Sequence, residues 1–238
     1  MLGEGVMFEI FYEAFRLLLS FDKDLYSIIG LSLYVSGVAV VFASVIGVVI
    51  GTILGIIPER KIAFITKIIY TLMGLPPVVG GLLVYMFISR RGILGGLGML
   101  FTPRAMILAQ IILALPIVIG LTMVTVRVKT KDVLDVLKSL GASKKDILLA
   151  LVKESRYGIL GAVIAGFGRV IAEVGAVMMV GGNIEGHTRV LTTAIVLETR
   201  RGNFNMAMAL GIILLLISFI INIVLYRLQK GKVGERYE

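Results

Sequence analysis

The chain has no cysteine, no tryptophan and a single histidine among its 238 residues. The lack of cysteine excludes disulfides and thiolate metal sites, and one histidine leaves little for other metal chemistry, so we expect no bound metal. No G-x-x-x-x-G-K-[ST] phosphate-binding motif, catalytic triad or carboxylate pair occurs, which argues against an enzyme and against a cofactor bound by this chain. Acidic residues are few as well: 15 Asp and Glu against 24 Lys and Arg give a net charge of +9.

Apolar residues are in excess instead and make up 58% of the chain, against ~45–50% in a typical soluble domain. Several uncharged runs are long enough for a helix of ~20 residues to cross a bilayer. We therefore predict an all-α polytopic membrane protein with about five transmembrane helices. Their predicted bounds are 28–57, 66–89, 105–126, 158–182 and 203–226. In such a protein the positive charge indicates basic cytoplasmic loops, and we expect no nucleic-acid partner.

Residues 1–24 lack the basic start of a signal peptide, because acidic residues are spread through them. Apolar residues recur here at helical spacing: Phe8, Phe11, Phe15, Leu18 and Leu19. This pattern predicts an amphipathic helix that lies in the membrane interface against lipid and is too charged to span. A transmembrane domain over 25–228 and a cytoplasmic tail over 229–238 are predicted to follow.

The distribution of lysine and arginine predicts the orientation. The first loop, the third loop and the C-terminal tail carry more of these residues than the segments on the opposite side. The positive-inside rule therefore predicts that this basic set is cytoplasmic, with the N-terminus outside and the C-terminus inside.

The third loop, residues 131–155, has the pattern of two short amphipathic helices. A first apolar stripe consists of Val133, Val136, Leu137 and Leu140, and a second of Ile147, Leu148, Leu151 and Val152. Gly141 follows the first stripe where a helix C-cap would use it, and Ser143 with Asp146 has capping-box spacing. We predict two helices joined by an elbow at 141–143. On periodicity alone, such a loop could also lie on lipid headgroups.

This loop resembles the cytoplasmic EAA loop of type I ABC-importer permeases, whose pattern is E-A-A, three residues, G, nine residues and I-x-L-P. The candidate coupling residues on this resemblance are Asp135, Val136, Leu137, Leu140, Gly141, Ala142, Ser143 and Lys144. Gly141 holds the glycine position, while Lys153 and Glu154 replace the final Leu-Pro. The resemblance implies that the loop docks on a separate cytoplasmic ATPase subunit, which would use Mg-ATP.

Further stretches extend the resemblance over about 27–228. They include "GLPPVVGGLLVYMFISRRG" and "GRVIAEVGAVMMVGGNIEGHTRVLTTAI", which is most similar to the tungstate branch of the tungstate/molybdate permeases. The resemblance implies import of an oxyanion, tungstate or molybdate, by alternating access across a prokaryotic plasma membrane. It also implies a homodimer and an external or periplasmic oxyanion-binding protein as partner.

Two charged residues interrupt the fourth predicted span. Arg169 and Glu173 are four residues apart and would share one face of a continuous helix. Charges inside a membrane usually pair or line a watery path. Arg169 could add positive potential to an anion route while Glu173 holds it, or the two could be a structural ion pair. Gly175 belongs to the same candidate path segment.

Prolines and glycines mark other positions within the predicted spans. Pro76, Pro77 and Pro116 remove backbone hydrogen bonds, either to bend a gate or to make a static kink. Gly47, Gly51 and Gly55 form a G-x-x-x-G-x-x-x-G row for close helix packing, within the protomer or across a dimer.

The candidate external loop contains His187, Thr188 and Arg189, followed by Thr192 and Thr193. These side chains are donors that an oxyanion could use. The segment could equally contact a binding protein, and His187 could simply bond within the loop.

Two other classes of function stay open on the sequence. A secondary anion transporter or channel would need no ATPase, although no inverted repeat is visible. A non-transporting scaffold would use the basic loop only to recruit a partner.

Overall fold

The computed structural model describes residues 12, 15–17, 19, 20 and 23–230, and all regular structure among them is helical. The helices are α1 (Lys23–Ile56), α2 (Glu59–Met73), α3 (Pro77–Ile88), α4 (Pro103–Ser139), α5 (Lys144–Glu154), α6 (Arg156–Ile171), α7 (Gly175–Gly181), α8 (Leu191–Arg200) and α9 (Phe204–Lys230), with a 3-10 turn at Gly95–Leu97. The predicted all-α class is confirmed. Most of the predicted interfacial helix over 1–24, and residues 231–238 of the predicted tail, lie outside the described residues.

Three helices, α1, α4 and α9, are long and apolar enough to cross a membrane. Two further candidates are helix pairs with a break, α2 with α3 and α6 with α7, which gives up to five spans. The chain bends by 100° at the first break and by 59° at the second. The spans over 66–89 and 158–182 stay predictions, and each of them contains one of these breaks.

The first break has a local cause in the sequence. Proline disfavours the helical conformation of the residue before it, so Leu75 and Pro76 cannot continue α2 into Pro77. The second break, at residues 172–174, contains no proline. It depends on side chains that replace the lost helical hydrogen bonds, as described below.

Helix α4 continues well beyond its predicted span. It runs without interruption for 37 residues and passes through the buried Pro116, which corresponds to a length of about 55 Å. The first short helix predicted for the 131–155 loop is therefore the end of α4. No break in the helix separates Ser139 from the predicted span.

Contacts divide the chain into two compact units. One comprises Ala39–Pro76, Ile111–Val170 and Val224–Glu238, with a core that includes Ile62 and Met123. In this unit the glycine row packs against α4: a Cβ on Gly51 would lie 2.7 Å from the carbonyl oxygen of Ile119. Gly47 and Gly55 meet Val118 and Val126 of α4 as closely. The row therefore packs within the protomer.

The other unit comprises Met1–Val38, Pro77–Gln110 and Ile171–Ile223. Its core includes Leu25, Leu191 and Ile213. Helices α3 and α7 pack closely here, since a Cβ on Gly81 would lie 2.5 Å from the Cα of Ala176. Thus the second halves of the two interrupted spans pack against each other.

Candidate functional site

The elbow of the candidate coupling segment begins where α4 ends. Gly141 has φ +71°, a left-handed conformation that glycine adopts without a steric penalty. The N–H of Gly141 donates to the carbonyl of Lys138, and the N–H of Ala142 donates to the carbonyl of Leu137, both over 3.0 Å. This pair of bonds is a Schellman motif, which satisfies the last carbonyls of α4 and turns the chain sharply.

Helix α5 begins immediately after the elbow with the predicted capping box. The hydroxyl of Ser143 accepts from the N–H of Asp146, and the carboxylate of Asp146 accepts from the N–H of Ser143. Both donors would otherwise have no partner within the helix. The predicted elbow over 141–143 and the predicted start of α5 are confirmed.

The two apolar stripes of the segment differ in their burial. Leu151 of α5 is completely buried, and its neighbours Ile147, Leu148 and Val152 are half-buried. The second apolar stripe therefore packs on this chain and is not a ridge left for a partner. Val136 and Leu140 are 59% and 77% exposed. We call the exposed set the elbow surface: Asp135, Val136, Leu140, Gly141, Ser143 and Lys144. Leu137 and Ala142 are half-buried beside it.

Three contacts hold α4 at residues 125–127, just before the part of the helix that extends beyond its predicted span. Arg127 forms an ion pair with Glu59 at the start of α2, with 3.3 Å between Nη1 and Oε2. Gly55 packs on Val126, and Gly158 of α6 packs on Thr125. The base of the coupling segment is therefore fixed by three neighbouring helices.

Arg169 and Glu173 are not on one helical face, because α6 ends at Ile171. The guanidinium of Arg169 donates from Nη2 to the carbonyl of Leu75 over 3.4 Å. That carbonyl belongs to the break before Pro76 and Pro77, where the regular helical donor is missing. Arg169 thus helps to satisfy the backbone of the double-proline break.

Glu173 lies in the second break and is 4% exposed. Its Oε1 accepts from the N–H of Ala176 over 3.0 Å, at the start of α7. Its own carbonyl accepts from the hydroxyl of Thr192 over 2.9 Å. These bonds replace helical ones, so the residues around Glu173 stabilise the irregular backbone.

A small polar cavity adjoins Glu173, with a volume of about 10 Å³. Its polar lining consists of Ser32, Ser36, Gln110, Glu173 and Thr192. A space of this size holds about one water molecule, so a tetrahedral oxyanion does not fit there in this conformation. The sequence interpretation did not include Ser32, Ser36 and Gln110. The sequence feature that could have indicated this polar cluster is Gln110, an amide within an apolar run.

Two further path candidates are packing residues in this conformation. Pro116 is buried within α4. Gly175 is the first residue of α7, and a Cβ there would lie 2.9 Å from Cγ2 of Val78 on α3. Pro76 is exposed and Pro77 half-buried.

The candidate external loop separates into structural and exposed residues. Thr188 is completely buried, donates to the carbonyl of Gly181 over 2.6 Å and accepts from the N–H of Ile184. In this conformation its hydroxyl therefore donates and accepts within its own segment. Arg189 forms an ion pair with Glu185 over 3.2 Å. The side chain of His187 is exposed.

The described residues form an all-helical chain in which two of the up to five candidate membrane spans are interrupted. The family model for the binding-protein-dependent transport system inner membrane component matches residues 47–231, and the chain belongs to this family of multi-pass inner-membrane permeases. The chain is therefore a transport permease and not an enzyme.

Individual relatives are similar over almost the full chain. The tungstate uptake system permease protein TupB of Peptoclostridium acidaminophilum is 43% identical over 93% of this chain and 97% of its own. TupB of Campylobacter jejuni is 40% identical, covering 94% of each chain. The molybdenum transport system permease protein ModB of Escherichia coli strain K12 is 27% identical over 86% of this chain and 94% of its own.

Proposed function

We propose that this chain is the membrane-spanning subunit of an ATP-driven importer of tungstate. The substrate assignment rests on the 43% and 40% identity to two tungstate uptake permeases, against 27% to a molybdenum permease. A homodimer would enclose the path, and an external binding protein would deliver the anion. Mg-ATP would be hydrolysed on separate subunits, with no cofactor on this chain.

The observation that carries the coupling mechanism is the elbow surface at the end of an unbroken α4. Apolar side chains as exposed as Leu140 are suited to a groove on a partner, and charged neighbours such as Lys144 are suited to its rim. Because α4 is continuous from Pro103 to Ser139, closure of the ATPase subunits would move the span itself. Alternating access would follow from two positions of α4.

The same proposal assigns the orientation of the chain in the membrane. The elbow surface and the start of α2 would be cytoplasmic, together with the C-terminus, and the loop that contains His187 would be external. His187 and the ion-paired Arg189 would then be available to the external binding protein. Lipid would cover the exposed apolar faces of α1 and α9.

Co-purification with the ATPase subunit tests the coupling role. Gly141→Pro is expected to abolish the complex, because proline cannot adopt φ +71° and lacks the N–H that bonds Lys138. Gly141→Asn is the matched control, since asparagine tolerates the left-handed conformation and should retain the complex. A wild-type chain that binds no ATPase and still transports tungstate would instead indicate a secondary transporter.

A further inference from the structure

A cavity with a volume of about 630 Å³ follows the end of α3. It lies entirely within the unit that contains α3 and α7. Its polar lining consists of Tyr85, Ser89, Arg90 and Arg91. Neither the coupling mechanism nor the polar cluster at Glu173 uses these residues.

No acidic residue is among the residues that line this cavity. Between Glu59 and Asp132 the chain contains no acidic residue. Both arginines are exposed, and no hydrogen bond or ion pair of either side chain is found in the part of the chain that the structure describes. Two adjacent guanidinium groups therefore give the cavity a positive potential.

The backbone that carries the arginines is tightly folded. The N–H of Gly92 donates to the carbonyl of Ser89 over 2.7 Å, and the N–H of Leu94 donates to the carbonyl of Phe87 over 2.9 Å. A Cβ on Gly95 would lie 2.5 Å from the carbonyl oxygen of Ser89. A turn that is fixed in this way sets the backbone positions of Arg90 and Arg91 before any ligand arrives, so that only their side chains remain to be ordered on binding.

We propose that this cavity is a binding site for a tetrahedral oxyanion, held by Arg90 and Arg91. A guanidinium presents parallel N–H donors that match two oxygens of an oxyanion, and the hydroxyls of Tyr85 and Ser89 supply further donors. In the orientation of the proposed function, on which this role rests, the cavity faces outward. It would then receive the anion from the binding protein before translocation.

The phosphate of a phospholipid headgroup is also a tetrahedral oxyanion. The test therefore separates binding of a free oxyanion from binding of a lipid headgroup. The full-length chain would be purified in detergent and titrated with sodium tungstate at fixed ionic strength, with sodium chloride as the blank. Retained lipid would be identified in parallel by native mass spectrometry. The variants are Arg90→Gln/Arg91→Gln and the charge-matched control Arg104→Gln/Arg200→Gln. Both control arginines are exposed and do not line the cavity.

We expect the wild type to bind tungstate saturably. The affinity should fall at least tenfold in Arg90→Gln/Arg91→Gln and stay unchanged in the control. Arg90→Lys/Arg91→Lys should bind with intermediate affinity, because it keeps charge and loses the bidentate geometry. Equal binding by all variants, or none by the wild type, would overturn the proposal. Loss of a tightly retained anionic lipid in the Arg90/Arg91 variant, without any tungstate binding, would assign the site to lipid and overturn the free-oxyanion role.

This titration needs neither the ATPase nor the binding protein. Tungstate binding without ATPase assembly would therefore contradict only the importer assignment. ATPase assembly and uptake without tungstate binding at this cavity would contradict only the present inference.

Discussion

Arg127 and Glu59 join the base of the candidate coupling segment to the first turn of α2, with 3.3 Å between Nη1 and Oε2. The arginine side chain is 21% exposed and the glutamate 65%. Within the described residues, Nε and Nη2 of Arg127 are buried without a hydrogen-bond partner. The carboxylate of Glu59 is thus the ion-pair partner of a guanidinium that is only partly buried.

Glu59→Gln is expected to lower the free energy of unfolding by about 0.2–1 kcal/mol, the range of an ion pair that is exposed on one side. The exchanged variant Glu59→Arg/Arg127→Glu should recover part of that loss, because the attraction is restored. Thermal unfolding in detergent of Glu59→Arg, Arg127→Glu and the exchanged pair measures the coupling energy. If the loss in free energy of unfolding of the exchanged variant equals the sum of the losses of the two single variants, Arg127 and Glu59 do not interact in solution.

The packing of α1 on α4 predicts opposite effects for two glycines of the same helix. Gly51→Ala should lower the free energy of unfolding by about 1–3 kcal/mol, because the added methyl meets the backbone of Ile119. Gly37→Ala should be neutral or stabilise the chain by up to about 1 kcal/mol, since no atom lies within 4 Å of its Cβ position. Equal melting temperatures for the two variants would contradict the close approach of α1 and α4.

Leu140 is predicted to bind the ATPase without contributing to the fold. With 77% of the residue exposed, Leu140→Ser should change the free energy of unfolding by less than about 0.5 kcal/mol. It should weaken the complex with the ATPase about tenfold or more, as expected for a central apolar contact. Leu97→Ser is the control, because Leu97 is also exposed and is on the proposed external side. A similar loss of affinity in both variants would count against the elbow surface and the orientation.

The hydroxyl of Thr192 is predicted to stabilise the second break. Thr192→Val preserves shape and removes the bond to the carbonyl of Glu173, which should cost about 1–3 kcal/mol because that group is buried. Thr199→Val makes the same change at an exposed position, where the hydroxyl bonds within its own helix, and should be nearly neutral. The two melting temperatures decide the prediction, and a Thr192→Val variant as stable as the wild type would contradict it.

Features that depend on residues close in sequence were predictable. The turn at Gly141 and the capping box from Ser143 to Asp146 involve partners at most five residues apart. The break at Pro76 follows from the covalent structure of proline itself. The glycine row could be recognised, although the sequence did not identify its partner helix.

The continuation of α4 to Ser139 was missed because its charged residues resembled a loop. Lysine, valine and leucine are nevertheless compatible with a helix, and the Schellman motif at Gly141 stops it only there. The apolar stripe of α5 was predicted from its period, and the structure shows that the chain itself covers Leu151. A periodic pattern identifies a face to be buried and does not identify what buries it.

The sequence by itself determined an all-helical membrane protein, its basic loop and the cap and turn of the elbow, because composition, period and short-range hydrogen bonds are local properties. The tertiary structure alone decided that α6 ends before Glu173, since the lost helical bonds are replaced by Ala176 and by Thr192 from a distant helix. It alone also placed Arg169 against the carbonyl of Leu75, 94 residues away in sequence. Buried polar groups take whichever partner the packing brings within reach, and no local pattern encodes that choice.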